Sequence, residues 1–157
     1  MQIRIREAGD ADKQTFWRAT LETVWNDIPD DERVKLDRSE FEDYFRQAAS
    51  SYLEDPRNRM FVAEDEGGRF LGYTLLGQLA PFYSSRPHGF VYDIYVAEHA
   101  RRQGVARRLL EFAFGWFRNQ GLWKVKLEVA SNNVRARPLY EQLGFRAERL
   151  VMGKPLK

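Results

Sequence analysis

The stretch from Gly89 to Gly121 constrains this chain more than any other. It opens with Phe90-Val91-Tyr92-Asp93-Ile94-Tyr95-Val96, a run rich in β-branched and aromatic residues that reads as a strand. A helix follows from Gly104 to Asn119 and is ended by Gly121. At about 100° per residue, Arg107, Arg108, Glu111, Gly115 and Arg118 fall within an arc of about 100°. Val105, Leu109, Leu110, Phe112, Ala113, Phe114, Trp116 and Phe117 fill about 200° of the remainder. A helix that is apolar over more than half its circumference belongs across the middle of a sheet face, so the strand and helix are read as one packed unit.

The rest of the chain supplies the other strands. Gln2–Glu7 alternates and reads as a first strand, and Asp10 is placed to cap a helix running to about Trp25. Asn26–Asp31 breaks that helix. Ser39-Glu40-Phe41-Glu42 has the spacing of a capping box for a second helix, which Asp55-Pro56 ends. Arg59–Glu66 and Arg69–Leu79 form a hairpin around Gly67-Gly68. A loop covers Ala80–His88, Lys124–Ala130 is a strand, Asn133–Leu143 a short helix stopped by Gly144, and Phe145–Leu156 a final extended segment. The expected order is β-α-α-β-β-β-α-β-α-β. This is an α/β chain with a mixed sheet, read as one domain over residues 1–157. Trp17, Trp116 and Trp123 are expected in the core, and His88 and His99 in loops.

Composition removes several classes of function. With 43% hydrophobic residues and 22 aromatics, the chain is too apolar to be disordered. The absence of cysteine excludes a disulfide scaffold, a thiolate metal site and a cysteine nucleophile, and two histidines leave little for a metal. No metal is therefore expected. There is no run of 18 apolar residues, and the alternating N-terminus lacks a signal-peptide core, so a cytoplasmic protein without membrane association is expected.

Charge is divided unevenly. Residues 1–97 carry a net −6 and residues 98–157 a net +8. The basic half contains the turn Glu98-His99-Ala100-Arg101-Arg102-Gln103-Gly104-Val105-Ala106-Arg107, which leads into the apolar helix. A helix N-terminus offers unpaired N–H groups and partial positive charge, and Gly104 lacks a Cβ that would hold a ligand away. Neither G-x-x-x-x-G-K-[ST] nor a full G-x-G-x-x-G is present. By physics alone the segment is an anion site or merely a turn.

Two blocks carry a resemblance. Arg101-x-x-Gly104-x-Ala106 after Val96 resembles motif A of the GCN5-related N-acetyltransferase (GNAT) family, (Gln/Arg)-x-x-Gly-x-(Gly/Ala). Leu127-Glu128-Val129, then Asn133-x-x-Ala136-x-x-Leu139-Tyr140-Glu141-x-x-Gly144-Phe145, is similar to a second signature of the same family. The resemblance spans about Ile3 to Leu156 and agrees with the element order. It implies a GNAT acyl-CoA N-acyltransferase fold and transfer of an acetyl group from acetyl-CoA, a co-substrate, to an amine.

The resemblance also implies roles. Acetyl-CoA would lie between two splaying parallel strands, with the backbone of Ile94, Tyr95 and Val96 pairing with the pantetheine arm. The pyrophosphate would sit on the turn of Arg101, Arg102, Gln103, Gly104, Val105, Ala106 and Arg107, which accounts for the basic half. Asn133 and Tyr140, seven residues apart, would share a helix face, Asn133 toward the cofactor arm and Tyr140 as the acid for the leaving thiolate.

The base is less legible. Ile94, Tyr92 and Phe90 share the face of Val96 by alternation, and none is acidic. Asp93 reaches the cleft only through a bulge, and Tyr92 is a candidate for a water relay. Trp25 and Asp27 at the end of the first helix, with Tyr83 in the loop before the cofactor strand, are candidates for the acceptor site. A small-molecule amine is the leading acceptor. Acetylation of a protein N-terminus or lysine, and a non-catalytic acyl-CoA-binding module, are the alternatives. No nucleic-acid partner is expected, and a homodimer is among the assemblies the resemblance allows.

Overall fold

The computed structural model describes residues 1–156. The long apolar helix forms over Val105–Asn119 (α4) and buries Val105, Leu109, Leu110, Ala113 and Phe117. Beneath it lies a five-stranded sheet of Arg4–Glu7 (β1), Arg59–Glu64 (β2), Phe70–Leu79 (β3), His88–Val96 (β4) and Val125–Leu127 (β5), in the spatial order β1-β2-β3-β4-β5. Neighbours are antiparallel except β4 and β5, which are parallel. That parallel pair requires a crossover, and α4 supplies it.

The core has two faces. On one, Phe61, Leu76, Val91, Leu110, Ala113, Phe117 and Tyr140 form a cluster that continues into Ala63, Leu71, Ala100, Val105 and Leu109. Leu109 and Leu110 are fully buried, worth roughly 1.5–3 kcal/mol each by transfer. Gly89 permits this contact, because a Cβ there would stand 2.7 Å from the Phe117 ring. On the other face, Lys13–Asp27 (α1) and Arg38–Glu54 (α3) pack through Phe16, Ala19, Val62 and Tyr73, with Trp17 and Leu53 beside them. A four-residue helix, Asp30–Arg33 (α2), and a final one, Arg137–Gln142 (α5), complete the set.

Several expectations are corrected. Asp10 opens a single 3-10 turn rather than capping α1. The cap of α3 is Asp37, whose carboxylate accepts from the Ser39 and Glu40 backbone N–H groups at 2.9 and 3.0 Å, so the helix starts before the anticipated box. The short last helix begins at Arg137 instead of Asn133, and β5 covers only Val125–Leu127. The final strand is absent: no strand is formed between Phe145 and Leu156. Trp123 is 67% exposed, whereas His88 lies buried in β4 against the Trp123 ring at 5.5 Å. His99 sits in a 3-10 turn, Glu98–Ala100. No helix among the described residues is long and apolar enough to cross a membrane.

Candidate active site

The site begins where the sheet comes apart. Pairing of β4 with β5 runs Gly89↔Val125, Phe90↔Lys126, Val91↔Leu127 and then stops. From Tyr92 to Val96 that edge of β4 has no strand beside it. On the other edge, Leu75 pairs with Asp93 and Leu76 with Val91, so Tyr92 is an extra residue, a β-bulge. A bulge bends its strand, and this one falls where the parallel pair separates.

The bulge also corrects the face assignment by alternation. Ile94, Val96 and Val91 pack under α4, whereas Tyr92 meets Tyr52 of α3 with ring centroids 5.1 Å apart. Tyr92 does not share the face of Val96, and its hydroxyl lies 3.4 Å from the Gln78 carbonyl. Asp93 points to the α1 side, where the Tyr73 hydroxyl donates to it at 2.7 Å and Thr20 of α1 also donates. Tyr95 stacks on Tyr73 at 5.6 Å. Ile94, Tyr95 and Val96 therefore have their side chains in the two cores and only backbone groups on the open edge.

The turn into α4 is shaped by two left-handed residues, Arg102 at φ 61° and Gly104 at φ 81°. The first backbone bond of the helix is from Arg108 N–H to the Gly104 carbonyl at 3.0 Å. The N–H groups of Val105, Ala106 and Arg107 thus precede any intrahelical acceptor. No acidic residue lies in the first turn. A Cβ on Gly104 would meet nothing within 4 Å, so open space stands over this turn. Val105 gives only its backbone, since its side chain is in the core. The Arg101 Nε donates to the Val96 carbonyl at 3.3 Å, Gln103 to the His99 carbonyl at 2.9 Å, and Arg107 to Gln142 at 3.0 Å. Arg108 faces Glu111 at 3.9 Å on the exposed side.

Across the opening, Asn133 lies before α5 and not on it, and its Oδ1 accepts from the Ala136 N–H at 3.3 Å. Seven-residue helical spacing therefore does not relate Asn133 to Tyr140. Tyr140 is buried to 9% exposure against Phe145, and its hydroxyl has no hydrogen-bond partner among the described residues. Burial, reinforced by the charges of Asp93 and Asp27, pushes its phenol up to about 12. It is fully protonated at neutral pH.

Asp93 and Asp27 form an electronegative wall. Burial raises both carboxyls above the ordinary range, and Asp27 adds to the rise at Asp93. Asp27 ends α1, seven residues and about 10.5 Å beyond Thr20 on the same helix face. The loop after β5 closes this side through Asn132, which donates to the Asn26 carbonyl at 3.3 Å. Trp25 is instead packed on Phe41 of α3 at 5.2 Å and capped by the Arg38 guanidinium at 5.0 Å. Tyr83 is 66% exposed beside Lys126, at the paired end of β4 and β5. The structure thus brings Asp27, Asp93 and Tyr140 together and leaves Trp25 and Tyr83 elsewhere. Thr20 and Tyr73, which hold Asp93, were not legible in the sequence. A tyrosine in a strand reads as core, and nothing local reveals the partner of a buried hydroxyl.

An unpaired strand edge beside a helix N-terminus that opens behind a glycine turn can take an extended, anionic ligand. The family model for the acetyltransferase (GNAT) family matches residues 17–145, and the chain belongs to that family. It is an acetyl-CoA-dependent N-acetyltransferase. Its relatives include an uncharacterized N-acetyltransferase of Bacillus subtilis, YhfO, 32% identical over 68% of this chain and 77% of that protein. An aminoglycoside N(6')-acetyltransferase type 1 of Serratia marcescens is 27% identical over 90% of this chain and 92% of its own length. A putative acetyl transferase from Pyrococcus furiosus superposes with a TM-score of 0.82, at 25% identity, covering 99% of this chain and 100% of that one.

The turn can be tested separately from the chemistry. Gly104→Val puts a branched side chain at φ 81°, costing about 1–2 kcal/mol for the left-handed backbone, and fills the open space over the N–H groups. The expected result by calorimetry is at least ten-fold weaker acetyl-CoA binding in a protein that still melts cooperatively. Unchanged affinity would place the phosphates somewhere else.

Proposed function

We propose that this enzyme acetylates a primary amine of a small, positively charged molecule by direct attack on acetyl-CoA. The observation that carries this reading is the pair Asp27 and Asp93. Both are half-buried, and neither has a Lys, Arg or His within ion-pair distance among the described residues. Asp27, at the C-terminal, negative end of α1, and Asp93 on β4, held by Thr20 two turns earlier, are desolvated carboxyl groups that favour a cation.

In this reading Asp93, held by Tyr73 and Thr20, accepts a proton from the bound ammonium. Its raised pKa suits it to that task better than an exposed aspartate. The freed nitrogen attacks the thioester carbonyl; the N–C bond forms, the C–S bond breaks, and the thiolate leaves. The Tyr140 hydroxyl donates to that sulfur, and the second proton, shed by the acylated nitrogen, passes through solvent to restore the phenol. Burial is the main cause of the phenol's high pKa, and an ammonium beside Asp27 and Asp93 offsets the two charges that add to it, so acceptor binding makes Tyr140 a better donor. The backbone of Arg102–Arg107 would hold the pyrophosphate and the edge of Ile94–Val96 the pantetheine arm. Asn133 would orient that arm only by giving up its bond to Ala136.

The test is thiol release from acetyl-CoA over diamines, polyamines, aminoglycosides, amino acids and short peptides. Free amines carrying a second positive charge are expected to turn over at least ten-fold faster than peptides. Preference for peptide N-termini or lysines would replace the small-molecule reading with protein acetylation. Cofactor binding with no turnover on any amine would overturn it altogether.

A further inference from the structure

Little besides apolar packing fixes α5, the helix that carries Tyr140. Its backbone bonds stay between Ala136 and Phe145, and Arg137 faces Glu141 at 3.7 Å within the helix itself. Among the described residues, one side-chain hydrogen bond joins α5 to another element: Arg107 Nη2 donates to Gln142 Oε1 at 3.0 Å. The bond from Asn132 to Asn26 lies in the loop before α5 and does not hold the helix. At six residues, α5 is far too short to be rigid by itself.

The bond connects two places of different character. Arg107 belongs to the turn into α4, where its own N–H, like those of Val105 and Ala106, has no intrahelical acceptor. A guanidinium carries several N–H donors, so the one given to Gln142 leaves others for an anion on the same turn. Gln142 follows Tyr140 by two residues, and two steps of about 100° place them on nearly opposite sides of the helix. Tyr140 is buried against Phe145 in the cluster with Val91 and Leu110, whereas Gln142 is exposed and reaches the first turn of α4. Packing holds one side of α5 and Arg107 the other. Together they stop the helix from turning about its own axis, a motion that would carry the Tyr140 hydroxyl along an arc.

We infer, on the reading of Tyr140 as the acid and of this turn as the pyrophosphate site, that Gln142 is a positioning residue: through Arg107 it ties the orientation of α5, and with it the Tyr140 phenol, to the seating of the co-substrate. An anion on the turn fixes the Arg107 guanidinium, and a fixed guanidinium holds Gln142. The phenol is then set in place by the same event that brings the thioester. Without the anion, the bond joins two half-exposed or exposed side chains and is loose. Placement matters because a misplacement of about 1 Å can cost a reaction about 100-fold.

The experiment uses the full chain. Gln142→Leu removes the acceptor from an exposed position, so the melting temperature should hold. Its kcat should fall about ten-fold while acetyl-CoA affinity changes by less than about three-fold. Gln142→Glu keeps an acceptor for Arg107 and should restore kcat. Glu141→Ala, on the same helix but paired only with Arg137, should leave kcat unchanged. In a Tyr140→Phe background, Gln142→Leu should have no further effect, because no phenol is left to position. Hydrogen exchange supplies a readout that needs no turnover: CoA should slow exchange at the Tyr140 and Leu143 amides in the wild type, and less so in Gln142→Leu. An unchanged kcat in Gln142→Leu, no rescue by Gln142→Glu, a Leu effect that persists on Tyr140→Phe, or equal slowing of exchange in both proteins each overturns the inference, while a slow Tyr140→Phe enzyme keeps the acid reading standing. Full turnover by Tyr140→Phe overturns both.

Discussion

Tyr140→Phe is expected to lower kcat by about 100- to 10,000-fold, the usual worth of a positioned general acid. Acetyl-CoA affinity should stay nearly constant. The ring keeps its place against Phe145 and in the cluster with Leu110 and Val91, and the lost hydroxyl bonds no protein group, so no buried partner is left unsatisfied. The melting temperature should therefore barely move. The pH profile is the second readout. A phenol held at about 12 does not titrate in the working range, so the wild-type alkaline limb belongs to other groups and its position should persist in the variant's residual activity. Full turnover, measured while chemistry limits the rate, would make Tyr140 a packing residue and leave protonation to solvent.

Asp93→Asn is expected to move activity and stability in opposite directions. Asparagine keeps an acceptor oxygen for Tyr73 but cannot take a proton, so kcat/KM should fall about 100-fold or more if Asp93 is the base. Stability should rise. The folded-state pKa of Asp93 is raised, chiefly by burial, so its contribution to folding is fully present below the unfolded pKa and is lost as pH rises through the folded value. As pH rises the carboxyl must ionise in its buried place, at a cost that the amide does not carry. Thermal melts at pH 5 and pH 8 check the sign: the gain over wild type should be larger at pH 8. Reduced stability with reduced activity would instead mark Asp93 as a structural anchor for Tyr73 and Thr20.

Much of the fold was legible because it rests on long-period signals. The apolar arc of α4, the Gly67-Gly68 hairpin and the strand before the Arg101–Arg107 turn each depend on side-chain patterns that a sequence displays. The misses have local causes. Three residues of β5 are too few to show a period, and the run to Ala130 continues in sequence after hydrogen bonding has ceased. Asn133 forms its own capped turn, which delays α5 by one turn. The tail is extended but pairs with no strand. At the site, motif positions were readable, whereas Thr20 and Tyr73 depend on contacts across the sheet. The bulge did leave a trace: Gly89, Val91, Ile94 and Val96 face α4 with a spacing of two, three and two, and the odd interval is Tyr92.

That odd interval has a wider consequence. Omit Tyr92, and Val91, Asp93, Ile94, Tyr95 and Val96 alternate without a fault between the two layers; the core makes no demand for the extra residue. A straight β4 could remain zipped to the chain after Leu127, giving a more complete sheet without a gap. The opening is thus one residue's worth of misregistration in an otherwise regular lattice. A polypeptide of this architecture could gain or lose such a gap through a single-codon insertion or deletion while every side chain of its interior stayed the same.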